Sequence, residues 1–125
     1  MEKKKILIVD DEEDFVRMIK LNLEKTGEYE VMTEIRAVKA LAAAREFKPD
    51  LILLDIVMPG IDGGEVAYQL GSDKSSKNIP IVFLTAIMSE EESSSMKGIA
   101  GNRPFLSKSV AVDKLIECIE KNMNR

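Results

Sequence analysis

Two hydrophobic rhythms alternate along this chain. The runs Lys5–Val9, Leu51–Leu54 and Ile79–Leu84 are nearly unbroken apolar stretches and read as strands buried on both faces. Tyr29–Glu34 reads as a weaker second strand and Phe105–Ser107 as a short fifth. Between them lie segments of helical period. In Asp14–Lys25 the apolar residues Phe15, Ile19 and Leu23 share one face, and Gly27 is a stop signal. Val38, Leu41, Ala42 and Arg45 mark a second helix that ends near Phe47-Lys48-Pro49. Gly64–Leu70 predicts a short third helix and Met88–Lys97 a weak, serine-rich fourth. Val112, Leu115, Ile116, Ile119 and Met123 form the clearest stripe, on a last helix. Gly71–Asn78, where serines mix with charges, is the expected boundary of disorder. Repeated strand-helix units imply an α/β fold, a parallel sheet with helices on both faces.

The strand ends carry the chemistry. Asp55 closes the Leu51–Leu54 run and is followed by the loop residues Met58-Pro59-Gly60. Asp10 and Asp11 follow the first strand, Thr85 ends the fourth, and Lys108 follows the fifth. In a parallel sheet these ends share one edge, where open α/β sheets bind their ligands. Taken singly, each residue has an ordinary reading. Asp10-Asp11 suits the first turn of a helix, Asp55 a turn cap, Thr85 a strand end, Lys108 the surface and Phe105 the core. Together they form a site. Clustered aspartates repel unless a cation sits between them, and few protein oxygens plus water favour Mg2+. Such an ion also neutralises a phosphoryl group. Thr85 can donate to a phosphoryl oxygen, Lys108 supplies a mobile positive charge, and Asp55 is the natural nucleophile.

Composition narrows this further. A chain of 125 residues, 45% apolar and 32% charged, makes a single domain, residues 1–125, with room for a core. A net charge of -4 argues against direct nucleic-acid binding by this chain. The lone cysteine, Cys118, allows no internal disulfide and agrees with a cytoplasmic setting. No apolar stretch approaches a membrane span or a signal-peptide core. The chain has no histidine, so a His-based triad and most zinc sites are excluded.

At Ile8-Val9-Asp10-Asp11, Leu54-Asp55 through Asp62-Gly63, Thr85-Ala86 and Phe105-Leu106-Ser107-Lys108, the chain resembles the receiver domains of two-component response regulators. The resemblance spans nearly the whole chain. It implies a flavodoxin-like five-stranded parallel sheet of order 2-1-3-4-5. It implies that Asp55 accepts a phosphoryl group from a sensor histidine kinase or phosphotransfer protein. Mg2+ would be held by Asp10, Asp11, Asp55 and the carbonyl of Val57. Thr85 and Lys108 would contact the phosphoryl oxygens, and Thr85 and Phe105 would act as the switch. The changed surface would comprise the Met88–Lys97 helix, the fifth strand and the last helix, and would bind a downstream protein as a monomer or phosphorylation-dependent dimer. One position departs from the family pattern. Lys108 is ordinarily followed by proline, often through a cis bond, and here Ser109 follows, then Val110. A cis bond before serine costs about 2.5–4 kcal/mol, so the loop either stores that strain or takes a trans path that shifts Lys108. Val57 and Ile87 are apolar flanks of the site, and slow self-dephosphorylation is expected from them.

Three other functions use related chemistry. A degenerate receiver would dock partners without phosphate. A phosphohydrolase of the haloacid-dehalogenase kind would need a second aspartate two residues beyond Asp55, where Val57 stands. A flavin carrier would need a phosphate loop where Asp10-Asp11-Glu12-Glu13 would repel one. Nothing resembling an output segment follows Arg125, and a stand-alone regulator is the simplest expectation.

Overall fold

Five strands, β1 (Lys4–Val9), β2 (Tyr29–Glu34), β3 (Leu51–Asp55), β4 (Ile81–Thr85) and β5 (Phe105–Ser107), pair in parallel in the order β2-β1-β3-β4-β5. This is the flavodoxin-like order expected. The structure is a computed structural model and describes residues 2–86 and 103–123. The expected Met88–Lys97 helix and the flank Ile87 lie outside those residues. Four α-helices are described: α1 (Glu13–Lys25), α2 (Ala40–Phe47), α3 (Gly63–Ser72) and α4 (Val112–Asn122). A single 3-10 turn, Ala37–Lys39, leads into α2.

The central strands are apolar throughout because both faces of the sheet are covered. Leu7, Val9, Ile52, Leu54, Ile81 and Phe83 face α2 and α3. Ile6, Ile8, Leu51, Leu53, Val82 and Leu84 face α1 and α4. Every one of these strand residues is buried. At roughly 1.5–3 kcal/mol for each large apolar side chain taken from water, this double layer is the main source of stability.

Three expectations change. The buried face of α2 is Ala40, Ala43 and Ala44, while Val38 is 74% exposed on the 3-10 turn and Ala42 is exposed. The small alanines let the helix approach the sheet closely, so side-chain size misleads about which face is inside. On α1 the buried residues are Val16, Ile19 and Leu23, with Phe15 partly buried at the edge. The segment expected to be disordered is ordered. Helix α3 runs to Ser72, and the following turn is closed by Ser76 and Lys77 N–H groups donating to the Asp73 carbonyl. Ser76 is buried and its hydroxyl donates to Leu70 O at 2.6 Å. Arg45 of α2 pairs with the Asp73 carboxylate, which is held well below the usual range mainly by that hydrogen bond.

Candidate functional site

The C-terminal ends of β1, β3, β4 and β5 meet at one edge of the sheet, as parallel pairing requires. Val9 aligns with Leu54, Asp55 with Leu84, and Thr85 with Ser107. The residues that follow open a cleft of about 320 Å³ lined by Asp11, Glu12, Asp55, Ile56, Val57, Thr85, Ala86 and Lys108. A larger hollow of about 440 Å³ lies between α1 and β2, lined by charges of both signs with no convergent chemistry.

Asp10 and Asp55 are buried, and Asp11 is exposed at the mouth. Each of the three can offer an oxygen within 4.8 Å of the other two. Asp10 Oδ1 accepts from Glu12 N–H at 3.0 Å. Its other oxygen, Oδ2, is buried without a directed hydrogen bond, although the Lys108 ammonium lies 2.8 Å away as an ion pair. Asp55 Oδ1 accepts from Val57 N–H at 3.2 Å, and Oδ2 lies 3.4 Å from Lys108 Nζ. Burial, then repulsion from Asp10, push the Asp55 carboxyl up to about 7, against the opposing pull of Lys108 and the Val57 N–H. Burial alone would lower the Lys108 ammonium, but the carboxylates of Asp10, Glu12 and Asp55 outweigh it and raise it. An all-oxygen set that includes a buried, under-satisfied carboxylate oxygen fits a hard divalent cation.

The local sequence explains how these groups are held. Gly60, at a φ of +85°, turns the chain after β3. Asp62 then caps α3, its Oδ1 accepting from Glu65 N–H at 2.8 Å. Gly63 presses against the end of β3, its N–H donating to Ile56 O at 3.0 Å. A Cβ there would fall 2.5 Å from Asp55 O and 2.6 Å from Ile56 Cα. Lys108 is anchored by its N–H to Thr85 O at 2.8 Å. No described peptide bond is cis, so Lys108–Ser109 is trans, and Lys108 still reaches Asp55. A turn does the work: Val110 N–H donates to Ser107 O at 3.2 Å, and Ser109 N–H donates to Ser107 Oγ at 3.2 Å. The Ser109 N–H, which proline would lack, is thereby satisfied. Pro104 precedes β5, which is an edge strand, and its carbonyl accepts from Phe83 N–H at 2.9 Å.

The structure therefore brings together Asp10, Asp11, Asp55, Val57, Thr85 and Lys108. Thr85 is buried and Val57 is 71% exposed at the cleft mouth. Phe105 stands back along β5, beside Phe83, partly buried against the layer under α2 and α3. Four roles escape sequence reasoning. Glu12 pairs with Lys108, the Phe15 ring lies 5.1 Å from the Lys108 ammonium, Ser107 shapes the turn, and Gly63 leaves room for the strand end. Gly63 alone had a signal, a glycine opening a helix directly after the site loop.

Comparison with known proteins agrees with this geometry. Residues 6–120 match the model of the response regulator receiver domain. The polar-differentiation response regulator DivK of Brucella anthropi is 35% identical over 118 residues, 94% of each chain. The alkaline phosphatase synthesis transcriptional regulatory protein PhoP of Bacillus subtilis is 48% identical over 83 residues, 66% of this chain and 33% of that one. The chain spans 23–49% of the longer regulators it matches. Among solved structures, the chemotaxis protein CheY4 of Vibrio cholerae superposes with a TM-score of 0.84 at 29% identity, covering 98% of this chain and 100% of that one.

Proposed function

We propose that Asp55 of this chain, which belongs to the response regulator receiver domain family, is the acceptor in a phosphorylation switch. Membership of that family carries two-component, phosphorylation-dependent signalling with it. Receiver domains work with histidine kinases and downstream effectors, and typically bind Mg2+ in an acidic pocket.

An Asp55 carboxylate oxygen attacks the phosphorus of a phosphoryl group carried on an imidazole nitrogen of the partner. The O–P bond forms as the N–P bond breaks, and the bonding pair leaves with the imidazole, which is protonated from solvent. Asp10, Asp11, Asp55 and the Val57 carbonyl would hold Mg2+, which when bound neutralises charge on the carboxylate and on the phosphoryl oxygens. Thr85 donates to one phosphoryl oxygen and Lys108 to another. Phe105 then follows Thr85, changing the face made by β5 and α4 for a downstream protein. Val57 at the cleft mouth slows attack by water on the acyl phosphate. The domain acts in the cytoplasm. It makes no nucleic-acid contact of its own, whatever the further parts of longer relatives do. No described helix is long and apolar enough to cross a membrane.

One observation carries the reading: three carboxylates converge at the sheet edge with the buried Asp55 within reach of Lys108. The test is incubation with Mg2+ and a small acyl phosphate donor, followed by intact mass. One added phosphoryl group that disappears with chelator and in Asp55→Asn supports the reading. No Mg2+-dependent addition rejects it.

A further inference from the structure

Lys108 has more carboxylate partners than the proposed transfer uses. Asp10 and Asp55 approach its ammonium at 2.8 and 3.4 Å from the sheet edge, and Glu12 Oε1 closes on it from the start of α1. Glu12 is the N-cap residue of α1, with extended backbone, yet its side chain makes no capping hydrogen bond. N-caps favour Asp, Asn, Ser and Thr, whose short side chains reach the free N–H groups of the first turn. Here the longer side chain turns into the cleft instead, while Glu12 N–H is pinned to Asp10 Oδ1. The Phe15 ring bounds Lys108 on another side. An ammonium has three donors; Glu12 and Asp55 take two of them and the Asp10 carboxylate pairs with the charge, so a phosphoryl oxygen competes with these carboxylates for Lys108. Glu12 is the easiest to displace. Its side chain is 59% exposed, against 0% for Asp10 and 5% for Asp55, so water readily replaces the lost contact.

We propose that Glu12 is a latch on Lys108, a positioning residue whose pair with the ammonium opens when a phosphoryl group binds at Asp55 and which restrains that binding until then. The latch rests on the reading of Asp55 as phosphoacceptor and adds a control to it. Glu12→Asp is the informative variant. It keeps the charge, shortens the side chain, and supplies a good N-cap that holds the carboxylate on α1.

The experiment titrates fluoroberyllate, a phosphoryl mimic, into the full chain at saturating Mg2+, read by calorimetry or fluorine NMR. Mg2+ affinity is measured alongside on the same proteins. The latch predicts that Glu12→Asp binds fluoroberyllate roughly three- to tenfold tighter, the scale of one partly exposed charge-assisted contact. Its Mg2+ affinity stays at that of the unmodified chain. Equal fluoroberyllate affinities would mean that Glu12 acts by its charge alone, and weaker binding that it preorganises Lys108; either overturns the latch. A changed Mg2+ affinity also overturns it, since the cleft itself would then have moved. Failure of the unmodified chain to bind fluoroberyllate overturns the phosphoacceptor reading, and the latch with it.

Discussion

Asp55→Asn flattens the dependence of stability on pH between about 4.5 and 7.5. In the fold this carboxyl is raised from 3.8 to about 7, chiefly by burial and secondly by Asp10. The unfolded chain returns it to its ordinary value. Between the two values the folded state holds a proton that the unfolded state has lost. Stability is therefore greatest below the unfolded value and falls as pH rises towards the folded one. At ~1.4 kcal/mol per pH unit the gap corresponds to at most ~4.5 kcal/mol, and relaxation around a coupled pair brings the expected loss to ~2–4 kcal/mol. The chain has no histidine, so no imidazole contributes to the slope in this window. The assay is urea unfolding by circular dichroism with chelator present, from pH 4.5 to 8. The unmodified protein loses stability across the range, while Asp55→Asn stays level and is the more stable at pH 8. Saturating Mg2+ removes most of the slope, because a cation favours the ionised carboxylate. A flat profile for the metal-free unmodified protein, or the same slope in Asp55→Asn, refutes the reasoning.

Gly63→Ala forces a Cβ against main-chain atoms at 2.5 and 2.6 Å, and those atoms cannot move without shifting Asp55. A loss of ~2–4 kcal/mol in urea unfolding is expected, and a loss under ~0.5 kcal/mol contradicts the close approach. Ser107→Ala removes the acceptor of the Ser109 N–H and costs ~0.5–1.5 kcal/mol, with a weaker fluoroberyllate affinity as Lys108 loses its fixed turn. Unchanged stability and affinity would show the turn to be held by its main chain alone. Asp11→Asn weakens Mg2+ binding by about tenfold or more in calorimetric titration, with little effect on melting temperature because the side chain is exposed. Equal Mg2+ affinity would remove Asp11 from the proposed ligands. Val57→Asn shortens the lifetime of the phosphorylated form by placing a polar group at the cleft mouth, and an unchanged half-life counts against shielding.

The sheet was legible because strands covered on both faces leave no alternation to misread. Their order and the four strand-end groups followed from parallel pairing and the resemblance. The interior face of α2 was hidden because alanines, not the larger Val38, lie against the sheet. The turn after α3 looked soluble and loose. Its order comes from a serine hydroxyl bonded six residues back and from Arg45, 28 residues earlier in the chain. The lysine side of the site was the least readable part. Glu12 and Lys108 are 96 residues apart, and nothing local to either announces the pair. Ser107 could be seen as a strand residue, but its hydroxyl matters only once the turn it closes exists.

Borohydride reduction of the acyl phosphate, followed by peptide mass mapping, tests the central claim most directly. After Mg2+ and a phosphodonor, the chain is predicted to carry homoserine at position 55, formed in proportion to phosphate and absent with chelator. Phosphate with no conversion at position 55, or conversion at another aspartate, would contradict it.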